Sequence, residues 1–343
     1  MRLGLYIFAA LTLMGIVGVV TYMQNPNNYL IEVMGINLNF PIYIWILLPM
    51  AILLVFTVIH MIFYSLKSYF KLKKWHRDAD TLDDALYWSM VNEPKEQKYS
   101  IPEIANSAVL LGQSKVEIID NVEGLSPRLS KVVNLLNKIK NGEYVDLKEH
   151  KMAKVFSEGN PLLIQNRLNR LTADDRFIEE VMKSSSSFSD PVRVKALELF
   201  ASKETFFKAR KYAKTFDVQN FFVMLERLNT EEEMEITSEI LDDFVGALKL
   251  TCNDYTKIAY ITKKHFSPDE NLALFKKYQN ENSKAQHAYL YLLFEYELMD
   301  DVGAYLEESD ENEFMKARAL YTLKKSNKNY KIEDLIDINA VCL

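Results

Sequence analysis

Two uninterrupted apolar stretches, roughly Leu3 to Tyr22 and Ile42 to Leu66, hold no Lys, Arg, Asp or Glu in their interiors. A helix needs about 20 apolar residues to cross the hydrocarbon of a bilayer, and it satisfies its own backbone there, so the spacing predicts a two-helix transmembrane hairpin. Orientation follows from the cations. Lys67, Lys71, Lys73, Lys74 and Arg77 crowd the end of the second stretch, whereas the connector from Met23 to Pro41 carries Glu32 as its one charge. Basic residues stay on the cytoplasmic side, which puts both termini and everything after Arg77 in the cytoplasm and the connector outside. The rival reading is a cleaved signal peptide over residues 1 to 23, with Arg2 as a minimal basic start. Against it, the apolar run is longer than a signal core, and Val20, Thr21, Tyr22 and Met23 offer no small-x-small cleavage pattern.

Of the 343 residues, the hairpin takes about the first 75, and the remainder is long enough to bury a substantial core. Ten glycines are less than half the usual share of about 7 %. The soluble part therefore lacks the Gly-rich turns of α/β enzymes and β-sandwiches, and helices joined by short polar links are expected. Six of the 41 basic residues and one of the 47 acidic ones precede residue 78, leaving 35 against 46, a formal charge of −11. Such a surface repels phosphate backbones and argues against nucleic acid as a partner. The collar by the membrane is the exception: besides fixing topology, each cation there gains about 1 kcal/mol beside anionic lipid. Cys252 and Cys342 are widely separated and on the reducing side by the topology argument, so both are expected as free thiols.

Within the connector, residues 29–34 and 36–40 are β-prone runs flanking Gly35, a pattern that predicts a β-hairpin against the outer leaflet. Asn25-Pro26-Asn27-Asn28 ends the first helix and turns the chain, and Pro41 opens the second span. A first span ending in Gln24-Asn25, a short β-like stretch, a second span and a basic juxtamembrane helix together resemble the lipopolysaccharide assembly protein A domain of bacterial inner membranes, over roughly residues 1 to 95. In that family's setting, a partner with helical repeats works beside the hairpin protein in controlling envelope assembly. The resemblance thus implies a fusion-like union of the two parts. Gly4, Gly15 and Gly18 recur along the first span, where small residues let helices approach in lipid, and are candidate span-packing positions for the second span or for a partner helix. Pro49 is a candidate kink, and His60 an intramembrane ionisable residue, read as a hydrogen-bonded packing residue.

After the hairpin (1–75), residues 76–126 read as a juxtamembrane helix and linker, and 127–343 as a helical-repeat domain. Leu82, Ala85, Leu86 and Met90 continue an amphipathic helix, and Val116-Glu117-Ile118-Ile119 fits a short strand or a helical turn. Helix-start signals recur at Ser100, Ser126, Asn160, Asp190, Thr230 with Glu233, and Ser267 with Glu270, most of them just before a proline. Apolar residues at helical spacing between these caps place helices near 127–140, 146–157, 161–171, 191–201, 203–215, 217–228, 238–250, 253–265, 268–279, 283–297 and 311–325. Stacked antiparallel pairs of this kind make an all-α chain, with an α-solenoid or an irregular helical-repeat domain after the hairpin. Residues 285–320 show the small/large alternation of tetratricopeptide-like pairs, without the Trp-x-x-Leu-Gly start or a clean 34-residue period. Ser184 to Ser187 reads as a loop.

Chemistry-bearing motifs are sparse. The sequence has no Walker A loop, Gly-x-Gly-x-x-Gly, His-Glu-x-x-His, Gly-x-Ser-x-Gly or Cys-x-x-Cys. His76, His150, His265 and His287 stand at no ligand spacing and are read as structural or solvated, with no metal or cofactor expected. Acidic runs at Glu231-Glu232-Glu233, Asp242-Asp243, Asp300-Asp301 and Glu307-Glu308 are neighbours that diverge on a helix, as expected of solvated faces. Phe206, Phe207, Phe221, Phe222, Tyr289 and Tyr291 are a candidate groove for a protein partner, with core packing as the competing explanation. The expectation is a non-enzymatic inner-membrane anchor for a cytoplasmic scaffold that touches membrane lipid, binds a protein partner and supports an envelope complex: lipopolysaccharide assembly, a flagellar motor or a secretion system. The alternatives are a membrane-surface enzyme acting on lipid head groups, which would draw its site from residues 73 to 103, and a small subunit that merely tethers another protein.

Overall fold

The computed structural model describes every residue except 1–2, 34–35, 120–121, 231–233, 327, 329, 331–334, 336–341 and 343. Arg2, Gly35 and the run Glu231-Glu232-Glu233, with its capping pair to Thr230, therefore lie outside the described residues. The described chain is all-α apart from one two-stranded hairpin, and it divides into two compact units, Met1–Val133 and Asn134–Leu343.

In the first unit, α1 (Leu3–Gln24) is followed by β1 (Asn28–Val33) and β2 (Ile36–Pro41), paired antiparallel with Asn28 opposite Pro41 and Ile31 opposite Leu38. Then α2 (Ile42–Met90) runs for 49 residues through Pro49, about 74 Å at the α-helical rise. That is more than twice the roughly 30 Å of bilayer hydrocarbon, so the second apolar stretch and the amphipathic segment after it are one rod. The far end of α2 buries Asp78, Ala85, Tyr87, Ser89 and Met90. Asp78 Oδ2 accepts the N–H groups of Ser100 and Ile101 at 2.8 and 2.7 Å, which caps α3 (Pro102–Ala108) in place of a residue of its own. Burial and the Asp78 charge together raise the Tyr99 phenol. Residues 116–119 are neither strand nor helix, and Ile119 is exposed. Ser126 accepts from the Leu129 N–H at the start of α4 (Pro127–Lys140) and donates to Asp83.

The second unit continues with α5 (Pro161–Ala173), α6 (Asp175–Lys183), α7 (Asp190–Lys203), α8 (Phe206–Ala209), α9 (Val218–Arg227), α10 (Ser238–Ala247), α11 (Cys252–Thr262), α12 (Pro268–Glu281), α13 (Gln286–Glu295), α14 (Met299–Glu308) and α15 (Met315–Lys325). Helices α5, α7, α9, α11 and α13 form a row of neighbours, with α6 on α7, α12 and α14 on α13, and α15 on α14. One continuous core runs from Leu171 to Leu320 and is rich in aromatics. Phe221 and Phe244 stack at 4.9 Å, and Phe206 and Phe216 meet Phe244 edge-on at 5.9 and 5.2 Å. A buried polar thread links three helices: Thr262 donates to Asn271 Oδ1, and Asn271 Nδ2 donates to the Tyr296 hydroxyl just past α13.

Residues 146–157, expected as a helix, form successive turns. Asp146 Oδ1 takes the Lys148 N–H at 2.8 Å, and Lys151 sits at φ +57°, so the chain cannot propagate helically there. Residues 203–215 break into α8 and a 3₁₀ turn, Arg210–Thr215. Helices α6 and α14 appear in addition to the expected segments; α6 buries Phe177, Ile178, Val181 and Met182 on one face behind an Asp174 cap. The 184–187 loop contains a 3₁₀ turn, Ser185–Ser187.

Candidate functional site

Helix α1 buries none of its residues, and α2 buries none before Asp78. Both are long and apolar enough to cross a membrane. A core helix of the same composition would be covered by protein; here Phe8, Ile16, Leu53, Phe56 and Phe63 lie open. The few hydroxyls fold back onto their own helices: Thr12, Thr21 and Thr57 donate to the carbonyls of Phe8, Val17 and Leu53 at 2.7 to 2.8 Å, the arrangement an environment without water demands. Of the three span glycines, Gly18 alone meets the other helix, where an added Cβ would lie 3.0 Å from Leu47 Cδ1. Gly4 and Gly15 face open space, so Gly18 is the one of the three candidates that packs the two spans together, and the other two stay open to a partner helix.

Amphipathic aromatics mark both ends of these helices. At the connector end Tyr22 contacts Tyr43, Phe40 contacts Trp45, and Trp45 Nε1 donates to the Tyr29 carbonyl at 3.1 Å. At the other end Tyr64, Tyr69, Phe70 and Trp75 are exposed among the collar cations Lys67, Lys71, Lys73, Lys74 and Arg77, all of which are exposed too. His60 rests its ring on Tyr64 at 4.4 Å, about two turns short of the collar.

The candidate partner groove is not assembled. Phe206, Phe221, Phe222 and Tyr291 are buried, Tyr289 is half-buried against Tyr305, and Phe207 alone points outward at 75 % exposure. Helical periodicity places Phe206 and Phe207 on different faces, so the six cannot line one surface. The clefts among the described residues of the second unit include two with strongly charged walls. The larger, about 830 Å³, is lined by Lys183, Arg210, Lys211, Lys214 and Asp243, and Arg210 already pairs with Asp243 and Glu239. The smaller, about 400 Å³, holds the Lys277–Asp242 pair beside Tyr255 and Glu281. In the smaller cleft the cation is answered by a carboxylate of the wall, whereas the larger sets four cations against the single carboxylate Asp243. Lys263 bonds to Glu295 at 2.7 Å and to the Tyr291 hydroxyl at 2.8 Å, an internal tie between α11 and α13.

The two cysteines are not free thiols: Cys252 and Cys342 are joined by a disulfide that closes 90 residues. The expectation rested on their distance in sequence and on the compartment; the fold overrides the first by returning the chain end to the start of α11. Cys252 is the first residue of α11, behind a Thr251–Asp254 capping box. Next to it, the Cys342 N–H donates to Asn253 Oδ1 at 3.3 Å. His287, second residue of α13, brings a ring nitrogen to the same place, and the ligand-capable atoms of Cys252, His287 and Cys342 all lie within 4.8 Å of one another, each residue half-buried. The His287 ring lies against Phe314 at 4.7 Å. Burial lowers its pKa; Glu313 opposes the shift and Lys316 adds to it. No ligand spacing in the sequence announces this trio, because its members sit on α11, α13 and the chain end. The remaining soluble-region histidines stay apart: His76 and His265 are exposed and His150 is half-buried. Comparisons of the chain with protein-family models, with curated proteins and with solved structures find no match.

Proposed function

We propose that the chain is a two-span anchor in a bacterial inner membrane, carrying on its cytoplasmic side an α-solenoid-like helical scaffold that binds a protein partner. It performs no catalysis of its own and helps to hold an envelope complex together, in keeping with the lipopolysaccharide assembly protein A-like layout of its first 95 residues. The observation that carries this reading is the unburied apolar surface of α1 and of α2 up to Leu66, bounded by Tyr22, Tyr43 and Trp45 at one end and by Tyr64, Tyr69 and Trp75 with five cations at the other. Aromatic belts and one-sided cations are what a spanning hairpin places at its two interfaces. The row α5, α7, α9, α11, α13 supports the repeat-like scaffold, since each helix leans mainly on its neighbours.

A second orientation, with the helical region in an oxidising compartment, is favoured by the Cys252–Cys342 bond. Fusion of a fluorescent protein and of a periplasm-dependent phosphatase to the C-terminus decides between them: fluorescence without phosphatase activity supports the cytoplasmic scaffold, and the reverse overturns it. Crosslinking in intact cells followed by mass spectrometry tests the scaffold role, with recovery of the same envelope proteins from independent crosslink sites as the expected result.

A further inference from the structure

We propose that Cys252, His287 and Cys342 are a two-state site: a disulfide when oxidised, and a Cys₂His site for a thiophilic divalent cation of the zinc class when reduced.

Three donor residues meet here, the bonded sulfurs of Cys252 and Cys342 and, brought to them by α13, a ring nitrogen of His287, all within 4.8 Å. Their chemistry is that of a zinc-type site, two thiolates and an imidazole, with a water completing the tetrahedron. Around such an ion, with Zn–S near 2.3 Å, two sulfurs stand about 3.8 Å apart, so the sulfurs need only draw apart once the S–S bond is broken. The S–S bond does not have to hold the partners in register meanwhile. The Cys342 N–H has its own bond to Asn253 Oδ1 at 3.3 Å, and Cys252 and His287 stand on α11 and α13, which pack directly against each other. Cys252 also opens α11, where the helix dipole favours a thiolate.

The chemistry balances. A dithiol reductant gives two electrons and two protons to the Cys252–Cys342 bond, yielding two thiols and the cyclic disulfide of the donor. The dication then replaces the two thiol protons, which pass to buffer, while His287 contributes a ring-nitrogen lone pair. The two states exclude each other, because each sulfur is committed either to its partner or to the metal. Both fasten Cys342 to the start of α11, so the tether survives on either side of the membrane and changes its chemistry with the compartment.

The test uses the full chain in detergent or nanodiscs, reduced, stripped with a chelator, and titrated with Co²⁺ as a spectroscopic probe and then with Zn²⁺. The expected result is one Co²⁺ per chain with a thiolate-to-metal charge-transfer band, bleached by Zn²⁺, and no such band from the oxidised protein. Cys252→Ser with Cys342→Ser should abolish the band, and His287→Gln should weaken Co²⁺ binding at least tenfold while leaving the disulfide able to form. The oxidised wild type is the folded control if a variant fails to fold. Reduced wild type that takes up no more Co²⁺ than the oxidised form, or that binds with no thiolate band, overturns the proposal. The measurement is made on purified protein and is indifferent to topology, so a negative result retires this site and leaves the anchor-and-scaffold reading to its own reporters.

Discussion

At the scale of single residues, the second unit depends on aromatic packing and on a few side-chain amides that stand in for backbone partners. Phe244 is fully buried, stacked on Phe221 and met edge-on by Phe206 and Phe216. Emptying that position leaves a cavity that close-packed neighbours cannot fill, so Phe244→Ala should cost about 3–5 kcal/mol. Phe207→Ala, at an exposed position one residue from the buried Phe206, should stay within about 0.5 kcal/mol. Urea midpoints of the two variants check this, and equal shifts would refute the placement of the core. Asn166 does a different job. Its amide both accepts from the Val145 N–H and donates to the Val145 carbonyl at 2.9 Å, satisfying a buried peptide that has left helix α4. Asn166→Ala strands both groups, at a cost of about 1–3 kcal/mol, and amide exchange should quicken first at Val145.

Among the elements, the revealing case is a helix start supplied from a distance. Ser100 is the local cap that the sequence suggests for α3, yet Asp78, more than twenty residues earlier on α2, receives the Ser100 and Ile101 N–H groups. Asp78→Ala should therefore fray α3 while α2 remains helical, read as faster exchange over residues 100–105. Caps beside prolines, at Ser126, Asn160 and Ser267, are legible because Pro fixes the backbone of the first turn and disfavours helical geometry in the residue before it. The caps Asp174, Asp217, Thr237 and Thr251 lack that second signal and pass as ordinary loop residues. Segment 146–157 fails in the opposite way: its apolar spacing is helical, but an aspartate recaptures the turn and Lys151 takes a left-handed backbone. The collar is readable because its members fall within eleven consecutive residues of one helix. The cysteine–histidine cluster is not, because only folding brings positions 252, 287 and 342 together.

For the molecule as a whole, the decisive quantity is the thickness of the unburied apolar zone. From Trp45 to Tyr64 the α-helical rise gives about 29 Å, and the 22 residues of α1 give about 33 Å, both close to the roughly 30 Å of hydrocarbon in a bilayer. Residues between those aromatics should therefore sit in lipid, and those outside them in water. Single cysteines introduced into a Cys252→Ser, Cys342→Ser background report this directly. In sealed vesicles a membrane-impermeant maleimide should label Tyr29→Cys from one side and Lys71→Cys only from the other. Ile52→Cys and Phe56→Cys, although uncovered by protein, should react from neither side until the vesicles are dissolved in denaturing detergent. Lipid explains that silence because it excludes both the reagent and the thiolate that must attack it. Labelling of positions 52 and 56 at the rate of position 71 in intact vesicles would mean that the apolar rods lie in water, against another chain or nothing at all, and the anchor would have to be abandoned.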